Sequence, residues 1–147
     1  MSLKQLNTLY KFEKDKEHQA ATALQHAEAD YQQNIARLQS VSDYRLEYMK
    51  RLDERSKVGI DSATYTHFHA FVAKLDYASG QVEIALKQAK ALVEQRKQQW
   101  FAQQQKVQAV ELLREKFIAK QQLKAQKLEQ KMFDEIATQQ FIRRKLR

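Results

Sequence analysis

Apolar residues recur along the first third of the chain at alternating steps of three and four. With Leu3 at heptad position a, the a positions are Leu3, Tyr10, Glu17, Leu24, Tyr31, Leu38, Arg45 and Leu52. The d positions are Leu6, Glu13, Ala20, Ala27, Asn34, Val41 and Tyr48. Eleven of these fifteen are apolar or tyrosine over seven heptads, the signature of a left-handed coiled coil. The exceptions (Glu13, Glu17, Asn34 and Arg45) suit register-setting or exposed positions better than a buried globular helix. The pattern predicts one long helix over residues 3–56.

Near Gly59 the pattern stops. Glycine takes the left-handed conformation that ends a helix, and Asp61 or Ser62 supplies a cap for the next. The second helix opens with Phe68, Phe71, Leu75, Ala78 and Val82. Past Val82 the apolar set moves by one residue, through Leu86, Ala89, Val93, Trp100, Val107, Val110 and Phe117. That step reads as a stutter, which locally unwinds a supercoil. Gly80 lies beside it, and an isolated helical glycine costs about 1 kcal/mol relative to alanine, enough for a slight bend and not for a break. The expected fold class is all-α: an antiparallel two-helix coiled-coil hairpin with a longer C-terminal helix. It is read as a single domain over residues 1–147, with a helix at 3–56, a turn at 57–61 and a helix at 62–144. The helices should measure about 75–80 Å and about 120 Å, so the second outruns the first.

Composition supports this reading. The chain has 147 residues, no proline, no cysteine and two glycines, too few turn formers for a compact globular domain of this length. Gln, Lys, Ala, Leu and Glu dominate, and all favour helix. No apolar run approaches the roughly 18 residues of a membrane span, and the charged start argues against a signal peptide. The lack of cysteine removes disulfides and thiolate metal sites and fits a cytoplasmic protein.

The net charge of +8 is unevenly placed. Residues 1–56 carry 9 basic and 9 acidic side chains, residues 57–113 carry 7 and 5, and residues 114–147 carry 10 and 4. Six of the eight net charges therefore lie in the last quarter, which ends "FIRRKLR". One reading is a solvated basic helix. The other is a dock for an acidic protein surface, an anionic membrane or nucleic acid.

Catalytic chemistry is missing from the pattern. Two glycines cannot build a phosphate-binding loop, and there is no cysteine nucleophile. His67 and His69 are two apart and point to different sides of a helix, while His18 and His26 are isolated. No catalytic residue, metal ligand or cofactor is expected, and the chain reads as non-enzymatic.

The tyrosines of "VSDYRLEYMKRL" (residues 41–52) raise a separate question. Tyr48 is at d, but Tyr44 is at g, on the shoulder of the seam. Residues near 44–51 should face residues near 68–75 across the turn, where Phe68, Phe71, Val72 and Leu75 form a similarly widened stripe, with Tyr65 nearer the loop. A two-helix seam buries only a and d. Either these rings fold over to seal the tip, or they anchor a third body, as aromatic residues do at interfaces.

At four places the chain resembles the flagellar FliJ family of the type III export apparatus. These are Tyr44-Arg45 with Tyr48 and Leu52; "GIDSATYTHFHAFVAKLDYA" (Gly59 to Ala78), with Tyr65 where tryptophan is common in the family; Trp100 in "QRKQQWFAQQQ"; and "EQKMFDEIA" (Glu129 to Ala137). The match runs in order over most of the chain. Where many members have an arginine after the tryptophan region, this chain offers Lys116, with Arg114 close by.

The resemblance implies an antiparallel coiled coil similar to the stalk of rotary ATPases. Such a stalk inserts into the ring of the export ATPase FliI and promotes its assembly. It also contacts the cytoplasmic part of the gate protein FlhA and escorts export chaperones. Carried onto this sequence, it implies ring binding by Leu3, Leu6, Tyr10, Phe133, Phe141, Arg143 and Arg144. It implies gate binding by Val41, Tyr44, Tyr48, Phe71, Leu75 and Ala78. The expected location is the cytoplasmic face of the inner membrane, with peripheral membrane contact through the basic tail and with no nucleic acid bound. A lipid-lying helix would need the partial apolar face of Leu128, Met132, Phe133, Ile136, Phe141 and Ile142. A nucleic-acid binder would need aromatics interleaved with glycine or a groove-reading fold, and neither is present. The alternative is a generic structural coiled coil that self-associates.

Overall fold

The structure is a computed structural model and describes residues 1–146; Arg147, counted above with the basic tail, lies outside the described residues. The fold is all-α. Helix α1 spans Leu3–Val58 and helix α2 spans Ser62–Lys145, joined as an antiparallel hairpin. Among the described residues there is no strand, and no helix is long and apolar enough to cross a membrane.

Helix α1 starts with reciprocal capping. The Gln5 amide N–H donates to Ser2 Oγ at 3.2 Å, and the Ser2 N–H donates to Gln5 Oε1 at 2.9 Å. Two otherwise orphaned donors are satisfied by a Ser-x-x-Gln box. Its other end stops at Gly59, whose φ of 100° is the one positive value among the described residues. The Gly59 N–H donates to the Arg55 carbonyl at 3.0 Å, the single bond of a left-handed helix cap. Two residues later Asp61 caps α2: its Oδ1 accepts from the Thr64 N–H at 2.9 Å and its carbonyl from the Tyr65 N–H at 3.1 Å. Hydrogen bonding from Thr64, its side chain first and its backbone second, holds the Asp61 carboxyl below its ordinary pKa.

The chain forms two compact units, Met1–Glu17 with Ala102–Arg147 (described to residue 146) and His18–Phe101. In the unit His18–Phe101, the buried seam consists of Ala27, Asn34, Leu52, Phe68, Val72 and Ala89. Asn34 is 5% exposed and donates from Nδ2 to the Asp30 carbonyl at 3.0 Å. That bond stays within α1 and satisfies the buried amide. In the other unit the core is Leu6, Val107 and Val110. Beside it Gln103 Nε2 donates to the Glu13 carbonyl oxygen at 3.0 Å and also to its carboxylate. Arg114 lies over the Tyr10 ring, 5.1 Å from its centroid.

The burial pattern corrects one expectation. On α2, buried or half-buried residues recur every seven positions from Phe68 through Leu75, Val82, Ala89, Arg96, Gln103 and Val110 to Phe117. A second set recurs likewise from Val72 through Ser79, Leu86, Val93, Trp100 and Val107 to Arg114. The repeat continues through Val82, so there is no stutter there. Counting apolar residues misplaces the first heptads because Ser79 holds a seam position, whereas Phe71 and Ala78 flank it. Arg96, Gln103 and Arg114 are likewise polar residues within the stripe.

The two glycines should respond with opposite sign to alanine. At Gly59 a side chain meets a left-handed backbone, so Gly59→Ala should cost about 1–2 kcal/mol. At Gly80, inside α2 with no atom within 4 Å of an added Cβ, alanine should stabilise by about 0.5–1 kcal/mol. Urea melts of the two variants check both signs. The Asp61 cap should also depend on pH. Because its folded pKa is depressed, its contribution is whole above the ordinary carboxylate value and is lost as pH falls through the folded value. The protection of the Thr64 amide, its exchange rate relative to an unstructured chain at the same pH, should therefore fall at that acidic end and lose this dependence in Asp61→Ala.

Candidate functional site

Two surfaces emerge, one in each unit. In the unit His18–Phe101, α1 presents Tyr44 and Tyr48 on successive turns, because residues four apart share a helix face. Their rings stack at 6.3 Å between centroids with an interplanar angle of 23°. From α2, Phe68 and Phe71 meet them. Tyr48 lies 4.9 Å from Phe68 and 4.4 Å from Phe71, and Tyr44 lies 6.0 Å from Phe71. Alongside, Arg45 Nε donates to Asp76 Oδ1 at 2.6 Å, an ion pair linking the two helices. Both partners are about half exposed, so this pair orients the helices more than it stabilises them.

Exposure separates the rings into two roles. Phe68 is 6% exposed and belongs to the core, whereas Tyr44 is 52% exposed while touching Tyr48 and Phe71. Tyr65, expected with this group, instead packs edge-on against His69 at 4.4 Å and is itself exposed. The result is a ring shelf with a wet edge, seated on a buried phenylalanine. Of the six residues implied for gate binding, the structure brings Tyr44, Tyr48 and Phe71 into direct contact. Val41, Leu75 and Ala78 are half-buried in the same unit. Leu46, 59% exposed and two residues from each tyrosine in sequence, was not singled out by the heptad argument.

The second surface lies in the unit Met1–Glu17 with Ala102–Arg147. Helix α1 begins at Leu3, while α2 continues, and every described residue of α2 from Ala119 onward is exposed. Where α1 begins, Met1, Leu6, Leu113, Phe117 and Leu123 line a groove edged by Lys116, Lys120 and Lys124. Sequence reasoning missed this groove. The signal was available: apolar residues of α2 continue beyond the point where α1 supplies partners for them.

The seven residues implied for ring binding are split. Leu6 is buried, Leu3 is half-buried, and Tyr10 is half-buried beneath Arg114. Phe133, Phe141, Arg143 and Arg144 are exposed on the unpaired part of α2. Phe133 starts about 24 Å along the helix from Phe117. Lys145 covers the Phe141 ring at 5.2 Å. The apolar residues around them are open to solvent: Leu128, Met132, Ile136 and Ile142 are 49–63% exposed. Among the described residues, no group of three or more His, Asp or Glu side chains is placed to hold a metal ion.

The aromatic shelf predicts unequal costs of truncation. Phe68→Ala removes a buried ring and should destabilise by about 3–5 kcal/mol. Tyr44→Ala removes one that is half exposed and should cost about 1 kcal/mol or less. Paired chemical-denaturation curves check this difference.

Comparison with known proteins gives one match. A model of the family described as flagellar FliJ protein matches residues 1–146. No curated protein and no solved structure matches the chain.

Proposed function

The chain belongs to the flagellar FliJ family, and from that premise we propose that it is the stalk of the flagellar export apparatus. Membership makes it a component of flagellar protein export. The finer reading is a non-enzymatic coiled-coil shaft that enters the ring of the export ATPase FliI, promotes its assembly and couples it to the cytoplasmic part of the gate protein FlhA. Escort of export chaperones belongs to the same reading, as does a place at the cytoplasmic face of the inner membrane.

The observation that carries this reading is the unpaired part of α2. A helix that exposes Leu128, Met132, Phe133, Ile136, Phe141 and Ile142 leaves more apolar surface in water than a two-helix fold requires. Isolated helices are also marginal in water without tertiary packing. A surrounding ring supplies that packing, and the excess of basic residues after residue 114 favours acidic walls. Leu3, Leu6 and Tyr10 hold the other helix against α2 at the base of this arm and so keep it in line. At the aromatic shelf, Tyr44 offers a half-exposed ring and a hydroxyl, a combination that stays wet when free and becomes an anchor when covered. That shelf is assigned to the gate, with Val41, Tyr48, Phe71, Leu75 and Ala78 supporting it.

ATP turnover by the cognate export ATPase tests the ring assignment. Adding the chain should increase turnover saturably, near one chain per ring, and removing all residues from Phe133 onward should abolish the increase. No effect at any ratio rejects the stalk. For the gate, Tyr44→Ala with Phe71→Ala should weaken FlhA binding roughly tenfold or more and leave the ATPase stimulation in place. The reverse pattern would exchange the two assignments.

A further inference from the structure

The groove where α1 begins is more specific than an exposed apolar patch. On one side α2 presents Leu113, Phe117 and Leu123; the others are Leu6 of α1 and Met1, which precedes it. Leu6 is 3% exposed and forms the floor, whereas Leu113 and Leu123 are 54% and 51% exposed and stand open. From Leu113 to Lys124 the groove follows α2 for about 16 Å, or three helical turns. Leu6 of α1 stands beside its first part, and past the start of α1 at Leu3 only α2 goes on, so its natural filling is another helix lying along α2.

Charge narrows the choice of helix. Lys116, Lys120 and Lys124 follow one another at intervals of four, which puts them on one helix face, interleaved with Leu113, Phe117 and Leu123 at about 100° per residue. All three are exposed, and none is in an ion pair among the described residues. At about 100° per residue, Glu115 and Glu129 fall well around the helix from Lys120 and do not neutralise this edge. Three unneutralised ammonium groups beside an apolar trough match an amphipathic helix with acidic residues flanking its apolar stripe.

Two other occupants fit less well. A helix lying on lipid separates its apolar and cationic faces, but here Leu113, Lys116, Phe117, Lys120, Leu123 and Lys124 share one face. A second copy of the chain would bring the same lysine edge against itself if its own groove were the partner. We propose that this groove is a docking site for an acidic amphipathic helix of a partner protein, held by Leu113, Phe117 and Leu123 and by the three lysines among them. The inference goes beyond the stalk reading, and its test needs neither ring nor gate.

The probe is a pair of synthetic helices, each about three heptads long. Both carry leucine at a and d, one with glutamate and the other with lysine at the flanking positions. Fluorescence anisotropy of each, titrated with the full chain, should show saturable binding of the glutamate peptide, roughly tenfold or more tighter than the lysine peptide. The triple variant Lys116→Glu, Lys120→Glu, Lys124→Glu should reverse that preference. Because the three side chains are exposed, far-UV circular dichroism should show its helicity unchanged. Leu113→Ser with Leu123→Ser should weaken both peptides and leave the charge preference. Equal binding of the two peptides, no binding of either, or a preference that survives the triple variant overturns the proposal. Capture by vesicles containing phosphatidylserine when neither peptide binds assigns the face to a membrane instead. Self-association that is lost in the leucine variant, again without peptide binding, assigns it to a second copy.

Discussion

Everything in this fold rests on a seam one layer deep. Two helices bury a narrow stripe of each other and nothing more, and among the described residues no large side chain falls below 2% exposure. The hydrophobic contribution per residue is therefore smaller than in a globular core, where whole side chains leave water. Such a seam is also permissive, because leucine, valine and alanine at a and d fit many registers. The structure compensates with directional contacts. Asn34 turns its amide back onto the Asp30 carbonyl, Gln103 binds Glu13, Arg114 covers Tyr10, and Arg45 pairs with Asp76. These interactions add little net stability individually, but a slip of register would break the last three, which join the two helices.

The thin seam also puts open surface at its margins. Two helices one layer deep leave the residues just outside a and d open to a partner. Tyr44 is such a residue. Its ring rests on Tyr48 and Phe71, which fix its position, while half of it remains in water. In the other unit, the open surface is the part of α2 that α1 does not cover. There the surface left open is both apolar and cationic, a combination that stays soluble alone yet favours an acidic partner. The same physical deficit, a stripe without a mate, produces the arm proposed for the ring and the groove proposed for a partner helix.

The fold could be read from the chain because its determinants are local. Heptad spacing from Leu3 to Leu52 needs only neighbours three and four residues apart, and a glycine followed by aspartate marks a helix end and a new start. Gly59 and Asp61 take these roles. The α2 register was legible only in part, because Ser79, Arg96 and Gln103 sit in the stripe without being apolar. Long polar side chains can lay their stems along a seam and keep their heads wet, and an apolar count does not register this. The aromatic group was foreseen as a cluster facing across the turn. The division between core Phe68, open Tyr44 and separate Tyr65 was not.

What the sequence alone determined was therefore the helices, the place of the reversal, the a and d stripe of α1 and the excess of positive charge near the end. Each follows from spacing along one chain or from simple counting. The tertiary structure decided which side chains meet and which remain uncovered: Arg45 with Asp76, Glu13 with Gln103, and Leu6 with Leu113 and Phe117 in the groove. These depend on residues about 30, 90 and more than 100 positions apart coming to the same level, and that level is set by the turn at Gly59 together with the axial rise of both helices. A sequence pattern shows which face of a helix is apolar; only the position of the second helix shows how much of that face stays open.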